Sequence, residues 1–600
     1  MLRGAKILLV FLLISGIWLP RGLALDRFAT PDEAAWVGRS AAFFHALARR
    51  DFSGTYQHGH PGVTLTWAGA LAYRWRYPAI AWEADERVLK NWKNVEPFLR
   101  ERGIPPVQIL ATSRFFMAAG NAAALGVAFL YALRLVGFWP ALLGFALIAF
   151  DPFLVGLARL LHLDGLVSAL MLLSLLAYLN FLDRGRRLFD LLVAGVAAGL
   201  SWLTRSPALF LGLFFGFLTL LDLFARWRVG GLPGLRSIWH SAWPVLLWTG
   251  MAVFTFVLLW PAMWLDPLGV VGRVFAQAFS YAAEGHDSEI FFNGSVLTGD
   301  PGWLFYPITY LWRATPAVLA GLALALLAFI FRLPPFEKQE HRRVVAVLAS
   351  FAVFFGLAMS LGAKKFDRYL LPSYAPLDLL AGMGWLALVN WSLGKSSNSH
   401  FVIARSGFCD EAISGTVGTR LLRQRTPRND TIMRISGGRS RRWWLRLAAS
   451  AAVVLAFGSQ MFLVIQTHPY YLSYYNPLMG GSKKAPEVMM IGWGEGLDQA
   501  ARYLDAIPGA AGLRVMSHYP DGSFSYFFRG ITVDLLNSWE GIDSEQLAGV
   551  DYVVLYIHQW QRRRPDPALL EYFASQQPEY VARINGLDYA SVYKIPHAPE

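Results

Sequence analysis

The chain has 600 residues, of which 55% are hydrophobic, 15% aromatic and only 16% charged. Soluble proteins carry about 25% charged residues, and many apolar runs here approach the ~20 residues a helix needs to cross a bilayer, so a multidomain soluble protein is excluded in favour of a polytopic α-helical membrane protein. The formal charge of +13 lies mostly in loops between apolar runs, where it reads as a topology signal and not as a nucleic-acid surface, and the single cysteine, Cys409, excludes an internal disulfide and a cysteine-based metal site.

The first element is an apolar helix over 7–25, preceded by Arg3 and Lys6. Its charged start and the small-residue context at Ala24 also fit a cleaved signal peptide, so both readings stand. About eleven spanning helices are expected in all, at 7–25, 108–134, 138–158, 163–182, 188–204, 207–225, 241–262, 313–332, 343–362, 370–393 and 443–465. With the N-terminus in the cytoplasm, Arg184, Arg186 and Arg187, then Arg226, Arg228 and Arg236, then Arg342 and Arg343, and a basic stretch over 394–442 all fall inside. That satisfies the positive-inside rule, and the expected location is the plasma (inner) membrane, as a multi-pass chain with its N-terminus in the cytoplasm.

Three regions then lie outside: 26–107, 263–312 and everything after about 466. The first opens on Thr30-Pro31-Asp32-Glu33, where proline suits the first helical position and Thr30 and Glu33 stand at capping-box spacing. Amphipathic helices are expected there, with further pieces at 63–75 and 86–101. The segment 394–442 is rich in Ser, Gly and Arg, is poor in large apolar residues, and is expected to be a flexible basic insert facing anionic headgroups. Beyond about 485, Leu513–Tyr519, Asp551–His558 and Tyr589–Ile595 read as strands, and Gly496–Ile507, Asp543–Leu547 and Pro567–Gln577 as helices. This alternation gives a small extracytoplasmic α/β domain.

The polar residues at the outer helix ends converge. They are Asp32 and Glu33, His58 and His60, then Arg159, His162 and Asp164, then Arg205, and finally Lys364, Lys365, Asp367, Arg368 and Tyr369. Outside positive charge runs against the topology rule, and a phosphate at the interface would account for it. Each group also has an ordinary structural reading. Glu33 fits a helix cap, Asp164 fits a helix start, and the basic cluster fits lipid headgroups. His58 and His60 are weak candidates for a divalent metal, lacking an evident third ligand. The tyrosines after His468 read as an interfacial belt. Gly492-Trp493-Gly494-Glu495-Gly496 matches no phosphate loop and reads as a turn into the soluble domain.

The stretches Pro31-Asp32-Glu33, His60-Pro61-Gly62, Ala158-Arg159-Leu160-Leu161-His162-Leu163-Asp164, Leu203-Thr204-Arg205-Ser206-Pro207 and Lys364-Lys365-Phe366-Asp367-Arg368-Tyr369-Leu370-Leu371-Pro372, in this order over 1–390, resemble the GT-C glycosyltransferases. The branch is that of the protein O-mannosyltransferases and the lipid A aminoarabinose transferase. The resemblance implies inverting transfer of a sugar from a polyprenyl-phosphate carrier to an acceptor hydroxyl on a protein, lipid or glycan. It implies Asp32 as catalytic base with Glu33 beside it. It implies that basic residues of the outer loops hold the carrier phosphate, at Arg205, Lys365 and Arg368; His60, His162, Asp164, Lys364 and Tyr369, on the same face, are expected as further substrate-binding residues. It transfers no metal and no role for 485–600. Two other classes stay open: a transporter or flippase of a lipid-linked sugar, and a membrane scaffold acting through the C-terminal domain.

Overall fold

A computed structural model describes residues 3–230, 234–286, 288–394, 437–535, 547 and 549–596. The chain is a polytopic helical membrane protein with a small C-terminal α/β domain. Residues 395–436, most of the expected flexible insert, lie outside the described residues, as does the helix expected at 543–547 apart from Leu547.

Each of the eleven expected spanning segments is largely helical, but their count as spans differs. Among the described residues seven helices are long and apolar enough to cross a membrane, or nine if each of two bent pairs is one span. The bends are written in the sequence. Phe138–Ala149 turns by 66° into Pro152–Ala158, and Phe305–Arg313 by 113° into Pro316–Ile330. At each break a polar cap precedes a proline: Asp151 accepts from the Leu154 amide at 2.8 Å, and Thr315 from the Val318 amide at 3.3 Å. Proline at the first helical position restarts a helix in a new direction because no amide hydrogen is needed there. Leu188–Thr204 is helical but short, at 17 residues.

Small residues bring the helices together, as lipid-embedded packing requires. A Cβ placed on Gly382 would fall 2.3 Å from the Gly144 nitrogen. The Leu371–Ser392 helix therefore lies backbone to backbone against Phe138–Ala149, and its neighbourhood is the most continuous part of the core.

Region 26–107 is folded. It contains the helices Pro31–Ala48 and Val63–Arg76, and the stretch expected at 86–101 divides into Glu86–Lys90 and Val95–Glu101. Region 263–312 holds the helix Pro267–Glu284 and a hairpin absent from the sequence reading, β1 (Ile290–Phe292) with β2 (Ser295–Leu297). The C-terminal domain is a five-stranded sheet formed by β3 (Arg514–Ser517), β4 (Ile531–Asp534), β5 (Tyr552–Tyr556), β6 (Tyr580–Ile584) and β7 (Leu587–Lys594), in the order β4-β3-β5-β7-β6. β4, β3 and β5 run parallel, whereas β7 and β6 form an antiparallel edge. Three of these strands were expected; β4 and β6 were not.

This domain is seated on the helices. Trp312 and Tyr475 belong to its buried core, and the Asn476 amide donates to the Trp312 carbonyl at 2.8 Å. Loop 492–496 reaches the Asp32 turn directly. Gly494 has φ +101°, and a Cβ there would sit 2.3 Å from the Ala29 carbonyl oxygen.

Candidate active site

The turn that presents Asp32 is held from several sides. Arg159 donates to the carbonyls of Leu23 and Ala24, Arg114 to that of Leu25 at 2.7 Å, and Arg502 to that of Arg27 at 2.9 Å. Three guanidiniums from distant parts of the chain thus satisfy carbonyls of the loop 23–27, which follows the helix Arg3–Gly22 and has no ladder partners of its own. The helix Pro31–Ala48 then starts with Asp32 and Glu33 in its first turn.

The two carboxylates have separate environments. Glu33 is fully buried and accepts from Arg114 Nε at 2.6 Å, from Arg114 Nη2, from the amides of Leu161 (2.8 Å) and Thr30 (2.9 Å), and from the Thr30 hydroxyl (3.1 Å). Both its oxygens are occupied. The expectation that Glu33 shares the chemistry is corrected accordingly, because no lone pair is left for a substrate proton. Burial pushes its pKa up, but Arg114 and the amides outweigh this and hold it below the usual carboxylate range. Asp32, by contrast, keeps 46% of its side-chain surface exposed.

Asp32 begins a chain of charged and polar groups. Its Oδ2 lies 3.4 Å from His162 Nε2 and 4.0 Å from Arg368 Nη2. His162 Nδ1 lies 3.3 Å from Asp164 Oδ2, which stands 3.5 Å from Arg368 Nε, and the other oxygen of Asp164 accepts from Arg205. Burial pushes the Asp32 pKa up, while the His162 contact and the charges of Arg368 and Arg39 pull it further down, so it stays ionised below the ordinary value of 3.8. Burial lowers the pKa of His162 despite Asp32, which keeps the imidazole neutral near pH 7.

Two cavities meet here, divided by residues 364–369. The first, about 280 Å³, is lined by Asp32, Arg368, Arg313, Trp493, Tyr519 and the β1 strand, among others. The second, about 460 Å³, is largely apolar, with Phe210, Phe275, Phe279 and Met359 along it and His60, Arg205, Lys364 and Tyr369 at its polar end. Arg205 lies with its guanidinium carbon 3.9 Å from the Tyr369 ring centre, and Arg368 lies 4.2 Å from both Phe366 and Trp493. Among the described residues Arg205 Nε, Arg368 Nε and His60 Nδ1 are buried without a hydrogen-bond partner. The His60 motif is tied to the Arg205 motif, since the Gly62 amide donates to the Thr204 carbonyl at 3.2 Å.

Other expectations fare differently. Lys365, expected on carrier phosphate, is buried with its ammonium bonded to Asp300, so its charge is already met. Lys364 Nζ sits 4.5 Å above the Tyr281 ring. Asp367 is engaged by Arg313 Nε at 2.8 Å. For the weak metal candidates, His58 Nδ1 accepts from the His60 amide at 3.0 Å and the His60 ring stacks on Tyr281 at 4.7 Å. Among the described residues no group of three His, Cys, Asp or Glu side chains stands ready for a metal ion.

Several site residues escaped the sequence reading. Arg313 was hidden at the end of an apolar run. Trp493 lay in the loop taken for a mere turn. Its ring meets His162 edge-on at 4.8 Å and so forms part of the cavity wall. Three glycines around one tryptophan were the available signal. Tyr519 has φ +52°, a conformation non-glycine residues adopt only under constraint, and it lines the same cavity.

No family model and no curated relative matches the chain. Among solved structures it is similar to ArnT from Cupriavidus metallidurans bound to undecaprenyl phosphate, with 13% identity, a TM-score of 0.48, and 99% of this chain and 98% of that one covered. It is also similar to the archaeal oligosaccharyltransferase AglB from Archaeoglobus fulgidus in complex with an inhibitory peptide and a dolichol-phosphate (10% identity, TM-score 0.45, 93% and 69% covered). Half of it is similar to the S. cerevisiae protein O-mannosyltransferase Pmt1-Pmt2 complex bound to the sugar donor (18% identity, TM-score 0.33, 50% and 42% covered). All three are GT-C glycosyltransferases, the class whose motifs the sequence resembles.

Proposed function

We propose that the protein is a glycosyltransferase that moves a sugar from a polyprenyl-phosphate carrier to an acceptor hydroxyl, with inversion, on the outer face of the membrane. One observation carries this reading. An ionised, half-exposed carboxylate, Asp32, stands in a polar cavity, and across residues 364–369 an apolar groove ends at Arg205, His60 and Lys364. The groove suits a hydrocarbon chain. The buried donors Arg205 Nε and Arg368 Nε, which lack a hydrogen bond among the described residues although Arg368 Nε lies 3.5 Å from Asp164, suit a phosphate between the two spaces. A buried donor left unmet costs about 1–3 kcal/mol, which a bound phosphate recovers.

The roles follow from the geometry. Asp32 takes the acceptor proton as its oxygen attacks the anomeric carbon, and the carrier phosphate leaves from the opposite side. Phosphate needs no acid to depart; Arg205 and Arg368 stabilise the charge that develops on it. His162 and Asp164 hold Asp32 and Arg368 in register and are positioning residues. Metal chemistry has no assigned part in these steps. The donor is therefore a lipid-linked sugar and the acceptor a protein, lipid or glycan hydroxyl, in a multi-pass membrane protein with a cytoplasmic N-terminus.

The test uses the purified protein in detergent or nanodiscs with a set of polyprenyl-phosphate sugars and mixed acceptors. Release of free polyprenyl phosphate, with the sugar recovered on an acceptor, is expected. Movement of intact lipid-linked sugar between leaflets with no release would instead establish the transporter reading.

A further inference from the structure

A second polar cavity lies at the other end of the bundle. The Leu163–Asp183 helix begins beside Asp32 and the Ser206–Arg228 helix begins beside Arg205, so their far ends mark the opposite membrane face. There the ends of these two helices, with Leu235–Leu259 and Gln339–Ser360, enclose about 370 Å³. Arg186, Arg226, Arg343 and His240 line it, and Leu179, Leu218 and Val347 contribute an apolar floor.

Arginines at such helix ends are ordinary topology signals when they spread into the headgroup layer. These three are gathered around one space. Arg226 Nε bonds Asp222 at 2.9 Å, and Asp222 also accepts from the Ser241 hydroxyl at 2.7 Å. Arg343 bonds Asp183 at 2.9 Å. Arg186 differs, because its Nη1 stands 2.7 Å from His240 Nε2 and no carboxylate among the described residues pairs with it. A guanidinium can only donate, so the His240 nitrogen takes the acceptor role in this contact. Arg186 is exposed, and in this open pocket its guanidinium faces an imidazole and not a carboxylate, among cations that outnumber the carboxylates.

We propose that this cavity binds a phosphate group, held by Arg186 and His240 with Arg226 and Arg343 at its rim. The chemistry matches bidentate guanidinium recognition of phosphate. The apolar floor fits the glycerol and first methylenes of an anionic phospholipid, and the same rim accepts free phosphate. This site is separate from the Asp32 cavity and does not depend on the glycosyl-transfer reading.

The experiment uses the full-length protein in phosphatidylcholine nanodiscs. One arm adds phosphatidylglycerol, and lipids retained per protein are counted by native mass spectrometry. The other adds inorganic phosphate with no anionic lipid, and thermal stability is followed. Variants are Arg186→Gln, Arg186→Lys, and Arg187→Gln as a charge-matched control outside the cavity. Wild type and R187Q should retain phosphatidylglycerol alike, R186Q about tenfold less, and R186K in between, since one charge-assisted hydrogen bond corresponds to about tenfold or more in affinity. Stabilisation by inorganic phosphate in wild type, lost in R186Q, would identify the free ion as the occupant and equally support the site. The proposal is overturned if neither arm responds in wild type, or if R186Q and R187Q behave alike in the arm that does.

Discussion

At the residue scale, adjacency in sequence conceals a division of labour. Asp32 and Glu33 are neighbours in one helical turn, yet one faces a cavity and the other is locked to Arg114 and three backbone or hydroxyl donors. Breaking a buried pair by removing one partner costs about 3–5 kcal/mol. Glu33→Gln should therefore lower thermal stability markedly, as read by Tm in detergent, whereas Asp32→Asn, at a half-exposed side chain with partners at 3.4 and 4.0 Å, should lower Tm much less. Equal Tm values for wild type and E33Q would remove the structural role. Asp32 also has a pH signature. Its folded pKa is depressed, with burial opposed by His162, Arg368 and Arg39. The ionised form, and the stability its partners confer, is thus present above the unfolded value near 4 and lost as pH falls through the lower folded value. The Asp32-dependent acid limb of turnover should lie below pH 4, and Arg368→Gln, removing a cation 4.0 Å away, should move that limb to higher pH. A limb unmoved in R368Q would sever the coupling. His58 acts with the opposite charge change. Burial pushes its pKa down to about 4, so between pH 6.5 and about 4 the unfolded chain binds a proton the folded one does not. Part of any stability loss over that window should disappear in His58→Gln.

At the element scale, the loop 492–496 decides how the C-terminal domain takes part. Its Trp493 ring abuts His162 and Arg368, and its Gly494 backbone lies against Ala29. Gly494→Ala asks a Cβ to occupy the place of the Ala29 oxygen at a positive φ, which should cost more than about 1 kcal/mol and displace the Asp32 turn. Activity is expected to fall together with Tm. Trp493→Ala should instead reduce kcat/KM with a smaller Tm change, because it opens the wall of the cavity without straining the backbone. If W493A turned over at the wild-type rate, the loop would be only a connector. The bent helix pairs show the same economy of signal: Asp-Pro and Thr-Pro dipeptides set the two breaks, and the short helices beside them end at Ala158 and Arg313.

At the scale of the whole molecule, the positions of the helices were legible because a bilayer demands long apolar runs bounded by charge. Their number as spans was less so, since length and composition do not reveal a bend inside a hydrophobic stretch. Asp32, His162, Asp164, Arg205 and Arg368 were legible as polar residues at helix ends on one face. Their pairing was not. Asp164 with Arg205, and Lys365 with Asp300, are contacts between residues 41 and 65 positions apart, which no local pattern announces. The same holds for β4 and β6, and for the hairpin over the cavity, whose short strands carry little periodicity. The C-terminal domain received no role from sequence, although it supplies Trp493 and Tyr519 to the cavity wall.

The central claim is that Asp32 is the base of a transfer from a phosphate-linked donor. It is tested most directly by single-turnover transfer with Asp32→Asn at saturating lipid-linked sugar, with carrier binding measured in parallel. The account predicts a loss of about 10²–10⁴ in rate, with carrier affinity close to wild type and only a small fall in Tm. Transfer at the wild-type rate, or a loss explained wholly by weaker carrier binding, would contradict it.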